Sequence, residues 1–116
     1  MFNYYHPLTI RDVVNALEAL RHVQRPYGDN EGDAINHPDV YADLPTHTQQ
    51  AVDLAWRYVR EYCCHIDGAI NSRSVTLLKK HGYQIHLGPN QYDPMLIAGV
   101  ITVGDWNLDL SDETAD

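Results

Sequence analysis

With 116 residues, 44% of them hydrophobic, the chain has material for one modest core, which argues against wholesale disorder and leads to the expectation of a single domain over 1–116. A formal net charge of −8 argues against a general nucleic-acid coat or a binder of anionic membranes. No apolar run approaches the length of a bilayer span, the longest being Met95 to Val103.

The start, Met-Phe-Asn-Tyr-Tyr-His-Pro, lacks the basic-then-apolar pattern of a signal peptide. A first helix is expected from Leu8 to about Val23. Thr9 can cap it, with Asp12 completing a capping-box pattern. Ile10, Val13, Val14, Leu17 and Leu20 recur at helical spacing, and Arg25-Pro26 ends the run. Residues 26–45 read as a long acidic loop broken by Pro26, Gly28, Gly32, Pro38 and Pro45, its end tacked to the core by Val40, Tyr41 and Leu44. A second helix is expected from Thr46 or Thr48 to about His65, again with a capping-box pattern, Thr46 to Gln49. Its wide apolar face is Val52, Ala55, Trp56, Val59, Tyr62, Cys63 and Ile66. Asp53, Arg57 and Glu61 sit four apart and are expected to pair, and Gly68 stops the helix.

A third, short helix is expected from Ser72 to His81, capped by Asn71 or Ser72 and ended by Gly82. Val75 and Leu78 face inward. Tyr83, Ile85 and Leu87 then alternate with polar residues as a half-buried strand, and Gly88-Pro89-Asn90 turns the chain. Asp93-Pro94 is a helix-start signal, so a helical turn is expected from Met95 to about Gly99. The strongest local pattern is a hairpin around Gly104-Asp105, a two-residue loop of type II′. Its register pairs Val103 with Trp106, Ile101 with Leu108 and Gly99 with Leu110, leaving Thr102, Asn107 and Asp109 on the opposite face. The tail, 111–116, is expected to fray. The expected fold class is α+β: three helices followed by a two- or three-stranded antiparallel sheet, in winged-helix-like order.

The sign of the charge alternates along the chain. Residues 1–25 carry three arginines against two acids, and 57–80 carry five bases against Glu61 and Asp67. Residues 26–56 and 81–116 hold six acids each and no Lys or Arg. Two acidic segments therefore flank a basic middle, a pattern that bears on partners rather than on fold.

The acidic segments supply the first candidate site: Asp29, Glu31, Asp33, Asp39 and Asp43 from the loop, with Asp105 and Asp109 from the hairpin. In extended backbone Asp29, Glu31 and Asp33 would space their carboxylates about 6–7 Å apart, close to phosphates along one nucleic-acid strand. Such an array can occupy a Lys/Arg groove of a nucleic-acid-handling protein. Neutralising Asp29, Glu31 and Asp33 together is expected to abolish partner binding without unfolding the domain. The alternative is a winged helix-turn-helix DNA-binding regulator, read by Arg73, Lys79 and Lys80 of the third helix, although an acidic wing is poorly placed near phosphate. A further alternative is a homodimer formed through the second helix, with Trp56 and Tyr62 as interface.

No metal or cofactor is expected. Cys63 and Cys64 are adjacent; on a helix they point about 100° apart, so both rarely reach one zinc ion, and neighbours rarely bridge each other, so no disulfide framework is expected and a reducing cytoplasm is the expected compartment. Cys63 falls on the apolar face and Cys64 is the more exposed thiol. An EF-hand fails at Ala34, where glycine is needed, and at Val40, where a bidentate Glu is needed. No Gly-rich phosphate loop, Gly-x-Ser-x-Gly or His-Glu-x-x-His motif is present, and no catalytic residue is assigned. Tyr4, Tyr5, Tyr27, Tyr41 and Tyr92 lie in expected loops or ends, beside acids, as tyrosines at protein interfaces often do. In size, acidity and lack of catalytic motifs the chain is similar to small phage-encoded inhibitors of host defence, such as anti-CRISPR proteins. That similarity is one of type and transfers no residue. It implies a non-catalytic protein that acts in the host cytoplasm and blocks the basic groove of a nuclease complex.

Overall fold

The structure is a computed structural model that describes residues 8–23, 33–64 and 69–111. Four helices precede three strands: α1 (Ile10–Arg21), α2 (Pro38–Tyr41), α3 (Thr46–Cys63), α4 (Ser72–Lys80), β1 (Gln84–Pro89), β2 (Ile97–Val103) and β3 (Trp106–Asp109). The strands form an antiparallel sheet in the order β1-β2-β3. The expected α+β class holds, with one helix more than the sequence suggested.

The amphipathic stripes dictate the packing. Val13, Ala16, Leu17 and Leu20 of α1 are buried together with Val52, Ala55, Val59 and Cys63 of α3. Leu78 of α4 closes one side. From the sheet, Ile85, Ile101, Val103, Trp106, Leu108 and Leu110 enter the same core. Trp106 is only 2% exposed, and its indole N–H donates to the Val23 carbonyl at 3.0 Å, tying the hairpin to the chain leaving α1.

The hairpin keeps the expected register, with Val103 opposite Trp106 and Ile101 opposite Leu108. Leu110 donates its N–H to Gly99 at 2.8 Å. Gly104 has φ of 62° while Asp105 keeps negative φ, the sign pattern of a type II′ turn. At Gly104 an added Cβ would also lie 3.1 Å from the Arg21 carbonyl, so the hairpin tip packs on the end of α1.

Helix N-termini follow the sequence in two of the three expected helices. Thr9 and Asp12 form the full capping box on α1. Asn71 caps α4 by accepting the Ser74 N–H, and Gly82, with φ of 92°, follows its end. On α3 the expected Thr46–Gln49 box is not formed. Pro45 is the N-cap, with no side-chain bond, and Gln49 instead donates to the Tyr41 carbonyl at 2.8 Å. The helix stops at Cys63. Cys64 turns extended to bridge Ile70, and Asn71 donates to the Cys63 carbonyl at 2.6 Å.

Two further corrections concern turns. β1 continues through Pro89, paired with Ile97, so the chain reverses at 90–96 rather than at Gly88-Pro89-Asn90. Asp93-Pro94 opens a turn and not a helix: Asp93 caps the Met95 N–H at 3.0 Å, and β2 has begun by Ile97. Register with β1 holds that stretch extended, which outweighs the local helix-start signal. Arg25-Pro26, Ile66, Gly68 and the tail beyond Ser111 lie outside the described residues.

Candidate functional site

The stretch expected to be an acidic loop is anchored at several points. Ile35, Val40 and Leu44 are buried, and α2 forms between them with Pro38 at its first turn and His37 as N-cap. Ile35 donates to the Asn107 carbonyl at 2.7 Å. Asn36 clamps the Asp109 main chain: its Nδ2 donates to the carbonyl at 2.8 Å and its Oδ1 accepts the N–H at 2.9 Å. This segment therefore covers the outer edge of β3, which would otherwise offer unpaired backbone groups. On the other side the Tyr41 hydroxyl donates to Asp53 Oδ2 at 3.0 Å.

Each acid assigned from the sequence has a distinct position. Asp33 is half-buried. Asp39, on α2, has a side chain 84% exposed, and Asp43 just after α2 is exposed. Asp109 is half-buried and its carboxylate accepts the Ser111 N–H at 2.8 Å. Asp105 is exposed at the hairpin tip, four residues along a strand from Asp109 and hence about 13 Å away. Asp33, Asp39 and Asp43 thus lie on one anchored segment, whose Asn36 holds the Asp109 main chain; Asp43 lines a separate cleft with His22 and His47, and Asp105 is at the far end of β3. Asp29 and Glu31 lie outside the described residues.

Arg73, Lys79 and Lys80 are all exposed on α4. The hairpin that would serve as a wing has its tip on α1, with Asp105 rather than a cation at the turn.

A cleft of about 940 Å³ opens between α2, α3 and the end of β3. Its floor is Tyr41, Val52 and Trp56, and its charged lining is Asp53, Arg57, Arg60 and Asp109. The Arg60 guanidinium stacks on Trp56, 5.3 Å from the ring centroid, and donates to the Leu110 carbonyl at 2.7 Å. The expected Asp53–Arg57 ion pair is replaced by the Tyr41–Asp53 hydrogen bond. Trp56, expected on the apolar face of this helix, is partly buried against the core and also lines the cleft. The i, i+3, i+4, i+7 run of Asp53, Trp56, Arg57 and Arg60 was the available signal that these side chains share a helix face.

Other titratable groups serve the framework. Burial pushes the Cys63 thiol up to about 12, with neighbouring Cys64 adding to the effect, so it stays protonated and is no nucleophile. Cys64 is half-buried. The Tyr83 hydroxyl donates to Glu18 at 2.7 Å; burial first, and that carboxylate second, raise the phenol to about 12. Among the described residues no group of three His, Cys, Asp or Glu side chains could hold a metal ion, and no helix is long and apolar enough to cross a membrane.

Tyr92 and Met95 are 84% and 77% exposed on the loop at 90–96. That loop is braced by Asn90, whose Oδ1 accepts the Tyr92 and Asp93 N–H groups and whose own N–H donates to the Leu96 carbonyl. No protein-family model matches this chain, and no curated protein or solved structure is detectably similar to it.

Proposed function

We propose that this chain is a non-catalytic protein-binding module whose acidic segment engages a basic surface, in the manner of a phage-encoded, nucleic-acid-mimicking inhibitor of a host nuclease complex. The supporting observation is the anchoring of 33–45. A segment that carries Asp33, Asp39 and Asp43 is pinned by three buried apolar side chains and by the Asn36 clamp. Acids held in place lose little conformational freedom on binding, which favours affinity. Asp29 and Glu31 extend the array along the sequence, and Asp109 adjoins it. Asp105 serves a second contact at the hairpin tip.

The alternative is a DNA-binding regulator using Arg73, Lys79 and Lys80, favoured by the exposure of all three on α4. The two readings separate in one assay. Labelled protein is titrated by fluorescence anisotropy with mixed duplex DNA, at low and raised salt, and with core histones as a defined basic probe. The acidic reading expects saturable binding of the basic probe and none of DNA. Saturable, salt-sensitive DNA binding would overturn it in favour of α4.

A further inference from the structure

A second cleft, of about 540 Å³, opens between the end of α1 and the start of α3. Val23, Leu44 and Ala51 give it apolar walls, and His22, Asp43 and His47 stand around them. Its hydrogen-bond donors come from the first turn of α3. That helix has 18 residues, an N-cap proline with no side-chain bond and no acid in its first turn. Among the described residues the main-chain N–H groups of Thr46 and His47 make no hydrogen bond, so the positive end of the helix is left uncompensated. Water alone would satisfy a bare helix end; Thr48 adds an independent observation. Thr48 lines the cleft and is only 5% exposed. Among the described residues its hydroxyl makes no hydrogen bond, whereas the Thr76 hydroxyl donates back to the Ser72 carbonyl at 2.9 Å. No fully enclosed side-chain oxygen or nitrogen among the described residues lacks a partner, so the Thr48 hydroxyl opens into the cleft. We propose that this cleft binds a small monocarboxylate with a compact apolar body, its carboxylate held by the first turn of α3 and the Thr48 hydroxyl.

The charges of the lining decide the kind of anion. Among the described residues it holds no Lys or Arg, and its one carboxylate, Asp43, is exposed. A phosphate with nearly two negative charges would face that carboxylate with no fixed cation to offset it. A single carboxylate needs only the free α3 amides, the Thr48 hydroxyl and an N–H from the His22 or His47 imidazole. The Val23 carbonyl, which would repel it, already accepts from the Trp106 indole at 3.0 Å. The apolar walls favour a branched hydrocarbon body over a purely polar ion. Asp43 enters the two proposals with opposite sign. Neutralising it weakens the grip on a basic partner and tightens the grip on a carboxylate, so either proposal can fail alone.

Amide chemical shifts read the site directly. Nitrogen-15-labelled full-length protein is titrated with isobutyrate up to about 50 mM at constant ionic strength and pH, a range suited to so small a ligand. Isobutyramide is the uncharged control, acetate the control without the apolar body, and inorganic phosphate the doubly charged one. The expected result is a saturable shift of the Thr46 and His47 amide signals with isobutyrate, at least about fivefold tighter than with any of the three controls. No saturable shift, shifts confined to other parts of the chain, or equal affinity for any control would overturn the proposal. Thr48→Val keeps the shape of the side chain and removes its hydroxyl, and is expected to weaken isobutyrate at least about fivefold. Unchanged affinity in a folded T48V protein would overturn the role of that hydroxyl and with it the proposal. Asp43→Asn, at an exposed position, tests the site without touching the core. It is expected to tighten isobutyrate at least about twofold, and unchanged or weaker binding would overturn the proposal.

Discussion

Single side chains join the elements of this fold. Tyr83, at the start of β1, gives its hydroxyl proton to Glu18 of α1. The hydrogen bond from Tyr83 lowers Glu18 below its ordinary value of 4.5, against an opposing effect of desolvation. Tyr83 is raised from 10.0 to about 12. Both shifts make stability depend on pH. For Glu18 the folded state favours the anion, so its contribution is complete above pH 4.5 and is lost as pH falls through the folded value. For Tyr83 the folded state favours the neutral phenol, so its contribution is complete below pH 10 and is lost as pH rises towards 12. Tyr83→Phe should therefore flatten both limbs of a stability–pH curve measured by urea denaturation. Trp106→Phe keeps most of the ring but leaves the Val23 carbonyl without its donor. A loss of about 1–3 kcal/mol is expected in the same assay.

At the scale of elements, helix caps and the β3 edge carry the predictions. Thr9→Ala removes a working capping box and should cost about 1 kcal/mol. Thr46→Ala, at an equally good sequence pattern, should change stability by less than about 0.5 kcal/mol, because Pro45 is the cap and Thr46 is exposed. Asn36→Ala should cost about 1–3 kcal/mol by stripping two partners from the Asp109 main chain. Thermal and urea melts of the three variants check all of this. The same contrast explains what could be read in advance. The β2–β3 hairpin was legible to the residue pair because turn chemistry and alternation fix the same register. α1 was legible because cap and stripe agree. α2 was not: a four-residue helix in a Pro- and Gly-broken stretch has no periodicity of its own, and tertiary contacts of Ile35, Val40 and Gln49 hold it. The cleft was not legible either, since its walls come from residues around 36–41, 52–60 and 109–111, which only the fold brings together.

For the whole molecule, charge is only partly sorted in space. Asp33, Asp39 and Asp43 sit on the anchored segment, Arg73, Lys79 and Lys80 on α4, and Asp105 at the hairpin tip, while the cleft between α2, α3 and the end of β3 mixes Asp53 and Asp109 with Arg57 and Arg60. Net acidity alone would give weak, position-independent attraction to any cation-rich protein. A built acidic surface requires the position of the charges to matter. Two charge-matched variants separate these cases: Asp39→Asn with Asp43→Asn, on the anchored segment, and Glu61→Gln with Asp93→Asn, exposed elsewhere. Affinity of each for core histones at fixed salt is the deciding measurement. The proposed function predicts at least a tenfold loss for the first pair and less than about threefold for the second. Equal losses in both variants would contradict it and reduce the acidic segment to solvated charge.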